Sequence, residues 1–296
     1  MDSELTATTF EVREFCLHDG PGIRTTIFFK GCPLQCAWCH NPEGLSPEPE
    51  MLFKSAKCHH CGNCKNGGDC PHGARMPCGR RWTVAELVQE IRVNADILRS
   101  SGGGVTFSGG EPLMQAKFLC ALADDLKSGT VPPLLGTDPL HSGTGPLHLG
   151  TVPLHLALET SGYAPAAVYQ ETVGKMDLVF QDLKHPNPDE HKRWTGVDPA
   201  PIHANLVWLK ASGKPFVARI PLIPGVNDSE DAKEGFARLL EGKSGLLRVE
   251  LLPYHLTAAA KYPFTGRTYD PGFDVTAPLN KETAAFERHG LPVVVM

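Results

Sequence analysis

The chain has 296 residues, 41% apolar and 21% charged, enough for one large buried core with a small appendage and too evenly mixed for a disordered or fibrous protein. A net charge of −5 leaves no basic footprint for a nucleic acid, so no such partner is expected. Met1 to Phe10 carries acids without an apolar centre, and no apolar run is long enough for a bilayer; the expectation is a cytosolic protein with no signal peptide and no membrane partner.

In chain order, apolar runs predict strands at Thr25–Lys30, Val105–Gly109, Leu154–Thr160, Leu178–Leu183, Phe216–Ile223 and Leu247–Tyr254. These runs are continuous rather than alternating, as in parallel strands covered on both faces. Helical patterns lie between them at Thr83–Ser100, Met114–Lys127, Ala200–Ala211 and Asp228–Glu241. Thr83 and Glu86 form a capping box at the start of the first. Alternation of strand and helix predicts an α/β fold with a parallel sheet.

Two segments interrupt this pattern. Asn41 to Arg81 is rich in Pro, Gly and Cys, so 58–78 is expected to be an inserted cysteine segment within a main body of 1–57 and 79–296. Residues 129–156 repeat a heptapeptide, GTVPPLL, GTDPLHS, GTGPLHL and GTVPLHL, whose prolines forbid a regular helix. Its His141, His148 and His155 invite a metal, but an exposed low-complexity loop is the simpler reading. Elsewhere, Ser108 to Glu111, Glu159-Thr160, Asp182 to Lys184, Arg219 and His255 all fall at predicted strand ends. Ligands bind at the carboxyl edge of such sheets, so these segments are expected to share a cavity.

Ten cysteines in a chain without an export signal argue against disulfides, and their clustering argues for metal ligation. Cys16 and Cys120 stand apart and are expected in the core. Cys32, Cys36 and Cys39 form C-x3-C-x2-C with Trp38 before the last cysteine. Three thiolates can hold three irons of a [4Fe–4S] cube and leave the fourth iron open, a reactive rather than closed arrangement. An amine and a carboxylate on one small molecule, such as the methionine end of S-adenosylmethionine, would fill that position. A zinc ion with His40 as fourth ligand is the structural alternative. Cys58-x2-Cys61-x2-Cys64, followed by Cys70-Pro71, resembles half of a bacterial ferredoxin motif. With Cys70 or Cys78 as fourth ligand it would hold one closed [4Fe–4S] cluster; His59, His60 and His72 keep a zinc knuckle open.

The motif resembles that of the radical S-adenosylmethionine superfamily. The longer run Gly20-x-Gly22-x-Arg24-x3-Phe28-x2-Gly31-Cys32-x3-Cys36-x2-Cys39-x-Asn41 resembles the glycyl-radical-enzyme activating enzymes. GGGVTFSGGEP, LETSG, DLKH, TGV, RIPLIPGVND and LLPYH follow in that family's order. The resemblance implies a partial (β/α)6 TIM-like barrel, with an inserted small iron–sulfur segment and the first cluster near the barrel's top. It implies an oxygen-sensitive oxidoreductase that takes an electron from a flavodoxin or ferredoxin. S-adenosylmethionine is cleaved reductively, and hydrogen is removed from a glycine of a glycyl radical enzyme. Carried over by position, Cys32, Cys36 and Cys39 would ligate the catalytic cluster, and Trp38 and His40 would flank it. Gly109, Gly110 and Glu111 would receive the methionine amino group, Asp182 and Lys184 the carboxylate or ribose side, and His255 would complete the contacts. Glu159, Thr160 and Asp182 match a monovalent-cation region, although Glu159 replaces a shorter aspartate. Asp19 to Arg24 resembles the segment that meets the target's glycine loop. A radical enzyme acting on a small molecule, as in deazaguanine formation, and a ferredoxin-like electron carrier are the competing functions.

Overall fold

The computed structural model describes residues 5–66, 68–128, 153–242 and 245–296. Most of the heptapeptide insertion, 129–152, therefore lies outside the described residues. Strands run in the order β1 (Thr6–Cys16), β2 (Arg24–Phe29), β3 (Glu50–Phe53), β4 (Arg75–Cys78), β5 (Arg80–Thr83), β6 (Gly104–Gly109), β7 (His155–Thr160), β8 (Leu178–Asp182), β9 (Phe216–Leu222), β10 (Leu246–Pro253) and β11 (Val293–Val295). The helices are α1 (Val84–Arg92), α2 (Ala95–Ser100), α3 (Ala116–Lys127), α4 (Ala166–Gly174), α5 (Pro188–Thr195), α6 (Ala200–Ser212), α7 (Glu230–Leu240) and α8 (Ala284–Arg288).

The six strands predicted from apolar runs are β2 and β6 to β10, and they are consecutive parallel neighbours. The short β11 extends one edge in parallel, while β1 and β5 finish the other edge antiparallel. The order β11-β10-β9-β8-β7-β6-β2-β1-β5 does not close on itself. The sheet is nevertheless curved enough for Arg219 on β9 to reach the carbonyl of His18, in the turn after β1, at 3.3 Å.

Side-chain alternation along each strand divides the interior in two. Phe216, Ala218, Ile220 and Leu222 on β9 face outward into the large core, with Leu206 and Leu209 of α6 and Phe236 and Leu240 of α7. The intervening Val217 faces inward and packs with Ala157, Leu178 and Phe180 in a small separate cluster. Beside that cluster the inner face is polar, with Thr106, Ser108, Glu159, Arg219 and Glu250 on neighbouring strands. The site is built on this concave face.

Three features differ from expectation. The single helix predicted at Thr83–Ser100 is two, α1 and α2, although the Thr83–Glu86 capping box is present. The break falls at Val93 and Asn94, both poor helix formers, where the Asn94 side-chain Nδ2 donates to Glu14 at 2.6 Å. Cys16 is half-buried rather than in the core, whereas Cys120 is buried. The excursion holding the second cysteine set begins before residue 58: β3 and β4 pair antiparallel and bracket it, so Cys78 belongs to the neck. No helix among the described residues is long and apolar enough to cross a membrane.

The C-terminal α8 is fastened to α7 by charge. His289 places Nε2 at 2.5 Å from Glu234 and Nδ1 at 2.8 Å from Glu241, while Arg288 also reaches Glu234 at 3.1 Å. The hydrogen bond to Glu234, then that to Glu241, raises the His289 pKa above its ordinary 6.5. A raised folded-state value means the stabilisation is full below the ordinary value and fades as pH climbs through the raised one. His289→Gln is therefore expected to lower the melting temperature at pH 6 and to converge on the parent toward pH 9. A difference that does not change with pH would remove the clamp from the account.

Candidate active site

The C-x3-C-x2-C segment is a loop leaving the carboxyl end of β2. At its base the Gly31 amide donates to the Gly44 carbonyl (2.8 Å) and the Cys32 amide to that of Leu45 (3.2 Å). Lys30 is fully buried beneath it, its Nζ donating to the Glu43 carbonyl (2.7 Å) and the Glu50 carboxylate (2.9 Å). At its tip the Gln35 amide donates to the Thr195 carbonyl (2.8 Å) and the Ala37 amide to that of Trp194 (3.0 Å), tying the loop to the end of α5. Both ends are thus held by backbone bonds.

The end of β6 presses against this base. The Gly110 amide donates to the Phe29 carbonyl (2.8 Å) and the Glu111 amide to that of Gly31 (2.7 Å). A Cβ on Gly109 would stand 2.3 Å from the Phe29 amide nitrogen, and one on Gly110 would stand 2.3 Å from the Gly31 oxygen and 2.5 Å from that of Gly44. Gly109 also has φ +118°, a region open to glycine. The two glycines line the cavity, but their missing side chains are required first by the neighbouring backbone.

One cavity of about 290 Å³ collects most of the expected residues: Cys32, Cys36, Trp38, Cys39 and His40 from the loop, with Gly109, Gly110, Asp182 and Lys184 from the sheet edge. Burial raises all three cysteine pKa values, Cys36 to about 12 despite the opposing charge of Lys184. The amides of Leu34 and Asn41 donate toward the sulfurs of Cys32 and Cys39. Lys184 donates to Asp182 at 2.7 Å; burial pulls its pKa down, but the Asp182 carboxylate more than offsets this, so it stays charged. His40 is lowered to about 4 by burial and by His255, Lys261 and Lys184, so it is neutral near pH 7.

Two expected contacts stand back from the cavity wall. Glu111 is buried, accepting from Thr160 Oγ1 (2.6 Å) and from the Ser161 hydroxyl (2.5 Å) and amide (2.9 Å). It fixes the end of β7 rather than facing the cavity. His255 is exposed, bonded to the Thr257 hydroxyl at 2.5 Å, and meets the site through the His40 ring, whose centroid is 4.6 Å away. Within Asp19 to Arg24 the two charged side chains are committed internally, while Pro21 and Gly22 are exposed. Arg24 is fully buried, donating to Thr106 Oγ1 and to the Val105 carbonyl, both at 2.5 Å, and Asp19 accepts from Thr26 at 2.6 Å.

Three polar residues from the strand edge line the cavity without a ligand role assigned from the sequence, although Ser108 and Arg219 are expected there by position. Ser108 donates to Glu159 at 2.5 Å, and Arg219 donates to Glu159 and, at 2.8 Å, to Glu250. Burial works against the Arg219 charge, yet the two carboxylates raise its pKa. Ser161 is the third. Period-two alternation from Val217 and from Thr106 is the signal that would have placed Arg219 and Ser108 on the inner face. Both Glu159 oxygens are engaged, and a guanidinium already supplies positive charge where a monovalent cation was considered.

The second cysteine set lines its own pocket: Cys58, Cys61, Cys64 and Cys70, with His59, His60 and His72. Cys70 accepts backbone amides from Arg75, His72, Ala74 and Gly73, which pull its pKa below the ordinary thiol value. Cys78 is not part of this pocket; it is buried near the Glu43 carbonyl, and burial raises its pKa. Among the described residues, no three His, Cys, Asp or Glu side chains converge tightly enough for a single metal ion. Thiolates on a cube each bind a separate iron and stand further apart.

Gly110→Ala is expected to destabilise the fold by about 1–3 kcal/mol, the usual cost of overpacking, because the added methyl meets two carbonyl oxygens rather than a side chain that can turn away. A urea midpoint equal to the parent's would show that the loop base is looser than this packing implies.

Residues 26–234 match the radical SAM superfamily. The choline trimethylamine-lyase activating enzyme of Oleidesulfovibrio alaskensis is 31% identical over 99% of both chains. The benzylsuccinate synthase activating enzyme of Thauera aromatica is 34% identical over 87% of this chain and 81% of its own. The fold is also that of a radical SAM methyltransferase from Sphaerobacter thermophilus, at a TM-score of 0.51 and 16% identity over 99% of this chain and 77% of that one. With three cysteines of one loop facing a strand-edge cavity, and likeness to activating enzymes along nearly its whole length, the chain belongs to the radical SAM superfamily and, within it, to the glycyl-radical-enzyme activating enzymes.

Proposed function

We propose that this protein activates a glycyl radical enzyme, cleaving S-adenosylmethionine reductively and removing hydrogen from a glycine Cα of its target. The observation that carries the reading is the meeting of Cys32, Cys36 and Cys39 with Gly109, Gly110, Asp182 and Lys184 around one cavity. The donor set fits a [4Fe–4S] cluster: three thiols are kept protonated by burial until a cationic core binds, and amides already point at two of the sulfurs. Bound there, the cluster would supply the single electron for reductive cleavage of the S-adenosylmethionine C–S bond.

This chain's residues bind and orient. Cys32, Cys36 and Cys39 would hold three irons of the cluster. Lys184, kept charged by Asp182, attracts the methionine carboxylate, and the backbone at Gly109 and Gly110 receives the amino end. Trp38 and His40 wall the site, His40 as a neutral imidazole that adds no charge beside the cofactor. Glu111 acts indirectly, setting Thr160 and Ser161 in the cavity wall. The Ser108–Glu159–Arg219–Glu250 chain keeps the inner face polar without a free charge.

We further propose that Cys58, Cys61, Cys64 and Cys70 hold a second [4Fe–4S] cluster. The shared pocket and the amide nest at Cys70 support that fourth ligand over Cys78. Cys70→Ser is expected to lower the iron content of anaerobically reconstituted protein by about one cluster, while Cys78→Ser leaves it unchanged. Equal loss in both variants would return Cys78 to the ligand set.

Reduced, reconstituted protein mixed with S-adenosylmethionine and candidate glycyl radical enzymes is expected to give a glycyl doublet in electron paramagnetic resonance. Cys36→Ser is expected to abolish both the doublet and 5′-deoxyadenosine formation. Release of 5′-deoxyadenosine coupled only to turnover of a small molecule would replace this function with the small-molecule reading.

A further inference from the structure

Asn41, two residues beyond the last catalytic cysteine, stands at the N-cap of the short 3-10 helix Pro42–Gly44, a position where an asparagine side chain ordinarily accepts a backbone amide. Here it makes no such bond. Its Oδ1 accepts from Lys261 Nζ at 3.0 Å, across 220 residues of sequence, and the same ammonium donates to Glu43 at 2.7 Å. Among the described residues, Lys261 is the one side chain bonded to that of Asn41. Arg267 reaches the same turn only through backbone, at the Pro42 carbonyl (3.4 Å). Lys261 lies in the 3-10 segment Leu256–Thr265, which follows His255 and does not line the inner cavity.

We infer that Lys261 is a positioning residue for the catalytic loop: by holding the Asn41 side chain, it keeps the Asn41 amide on the sulfur of Cys39. The inference rests on the cluster reading proposed above and extends it to a residue outside the cavity. The Asn41 amide donates toward that sulfur. The Asn41 carbonyl is held by the Gly44 amide at 2.9 Å, but with the capping bond unmade, rotation at Asn41 (φ −125°, ψ 62°) is left to whatever holds its side chain. The backbone bonds that tie the loop at Gly31, Cys32, Gln35 and Ala37 all fall before Cys39. Amide bonds to sulfur and nearby positive charge both favour the more negative, reduced state of an iron–sulfur cluster. Burial raises the Cys39 pKa and Glu43 adds to it, whereas the Asn41 amide, Lys184 and Lys261 act the other way. Lys261 thus serves twice, orienting the amide and offsetting Glu43, whose side chain is only 12% exposed beside it.

The test uses reconstituted holoenzyme and the full chain before reconstitution. The cluster to follow is the one whose electron paramagnetic resonance signal responds to S-adenosylmethionine. In Lys261→Met, redox titration is expected to show that cluster about tenfold harder to reduce at a fixed potential, ~59 mV for a one-electron couple. Lys261→Arg is expected to keep most of the parent midpoint, and Lys281→Met, which removes an exposed lysine elsewhere, to change nothing. Lys261→Met combined with Glu43→Gln removes both charges of the pair; its midpoint is expected to stay below the parent's, because Asn41 is still unheld. A return to the parent value would show that Lys261 only neutralises Glu43 and would overturn the inference, as would an unchanged midpoint in Lys261→Met. In the metal-free chain, hydrogen–deuterium exchange at 39–44 is expected to quicken in Lys261→Met and to stay slow in Lys261→Arg. Equal exchange in all three proteins would overturn the inference without reference to any cluster. Parent protein that takes up no iron would instead count against the proposed function, and the exchange rates alone would then decide.

Discussion

Two stretches of backbone, the end of β6 and the base of the cysteine loop, touch at distances that leave no room for a Cβ on Gly109 or Gly110. The rest of the site follows from that contact. It lets the Gly110 and Glu111 amides bond to Phe29 and Gly31, which fixes the direction in which the loop leaves the sheet. The loop then crosses the carboxyl edge and is caught at its far end by α5. Its three cysteines face Asp182 and Lys184 two strands beyond β6 because the loop is anchored on both sides. A loop held only at its base would need the metal to order it, and that ordering entropy would be subtracted from the binding free energy.

The concave face carries a second constraint, the burial of charge. Arg219 lies between Glu159 and Glu250, and Ser108 and Arg248 complete their bonding. Each carboxylate alone would carry a desolvation cost of several kcal/mol, and removing one partner would leave the others uncompensated. The network therefore links β6, β7, β9 and β10 across β8 at the depth where the cavity begins. Arg219 also stacks on Phe180 at 3.8 Å and reaches the His18 carbonyl, so one side chain joins the polar layer, the small inner apolar cluster and the β1–β2 turn. In the proposed function, such a wall presents no unpaired acid or base to a reactive intermediate.

The parallel strands were legible because most of each is buried and reads as a largely apolar run. The cysteine loop was legible because its chemistry depends on spacing. β1 was not: Thr6 to Cys16 mixes threonines, acids and an arginine, and it forms a strand only because β2 and β5 pair with it. The neck strands β3 and β4 are short, and their pairing is long-range. Gly109 and Gly110 were noticed, but sequence shows only that side chains are absent, not which neighbour requires it. Glu111 was expected at the cavity and faces away from it, since Thr160 and Ser161 supply three donors at its carboxylate. Arg219 was seen at a strand end, yet its partners lie on strands 31 and 60 residues away, beyond the reach of a local pattern.

The open order of the sheet bears on how a protein can be the substrate at all. A closed eight-stranded barrel of this kind fills its interior with layers of side chains and offers ligands only its rim. Here the strand order ends at β11 and β5 without their pairing, and the apolar inner packing is reduced to Ala157, Leu178, Phe180 and Val217. In the proposed function the interior beyond that apolar cluster takes the nucleotide, and we take the open strand order to leave the approach for a segment of the target; a closed sheet would bury more apolar surface but narrow that approach. Because the order is open, β1 and β5 finish one end by antiparallel pairing and the short β11 finishes the other in parallel. On this argument the marginal edge elements, the least legible part of the sequence, are what allow the catalytic loop to act on a macromolecule.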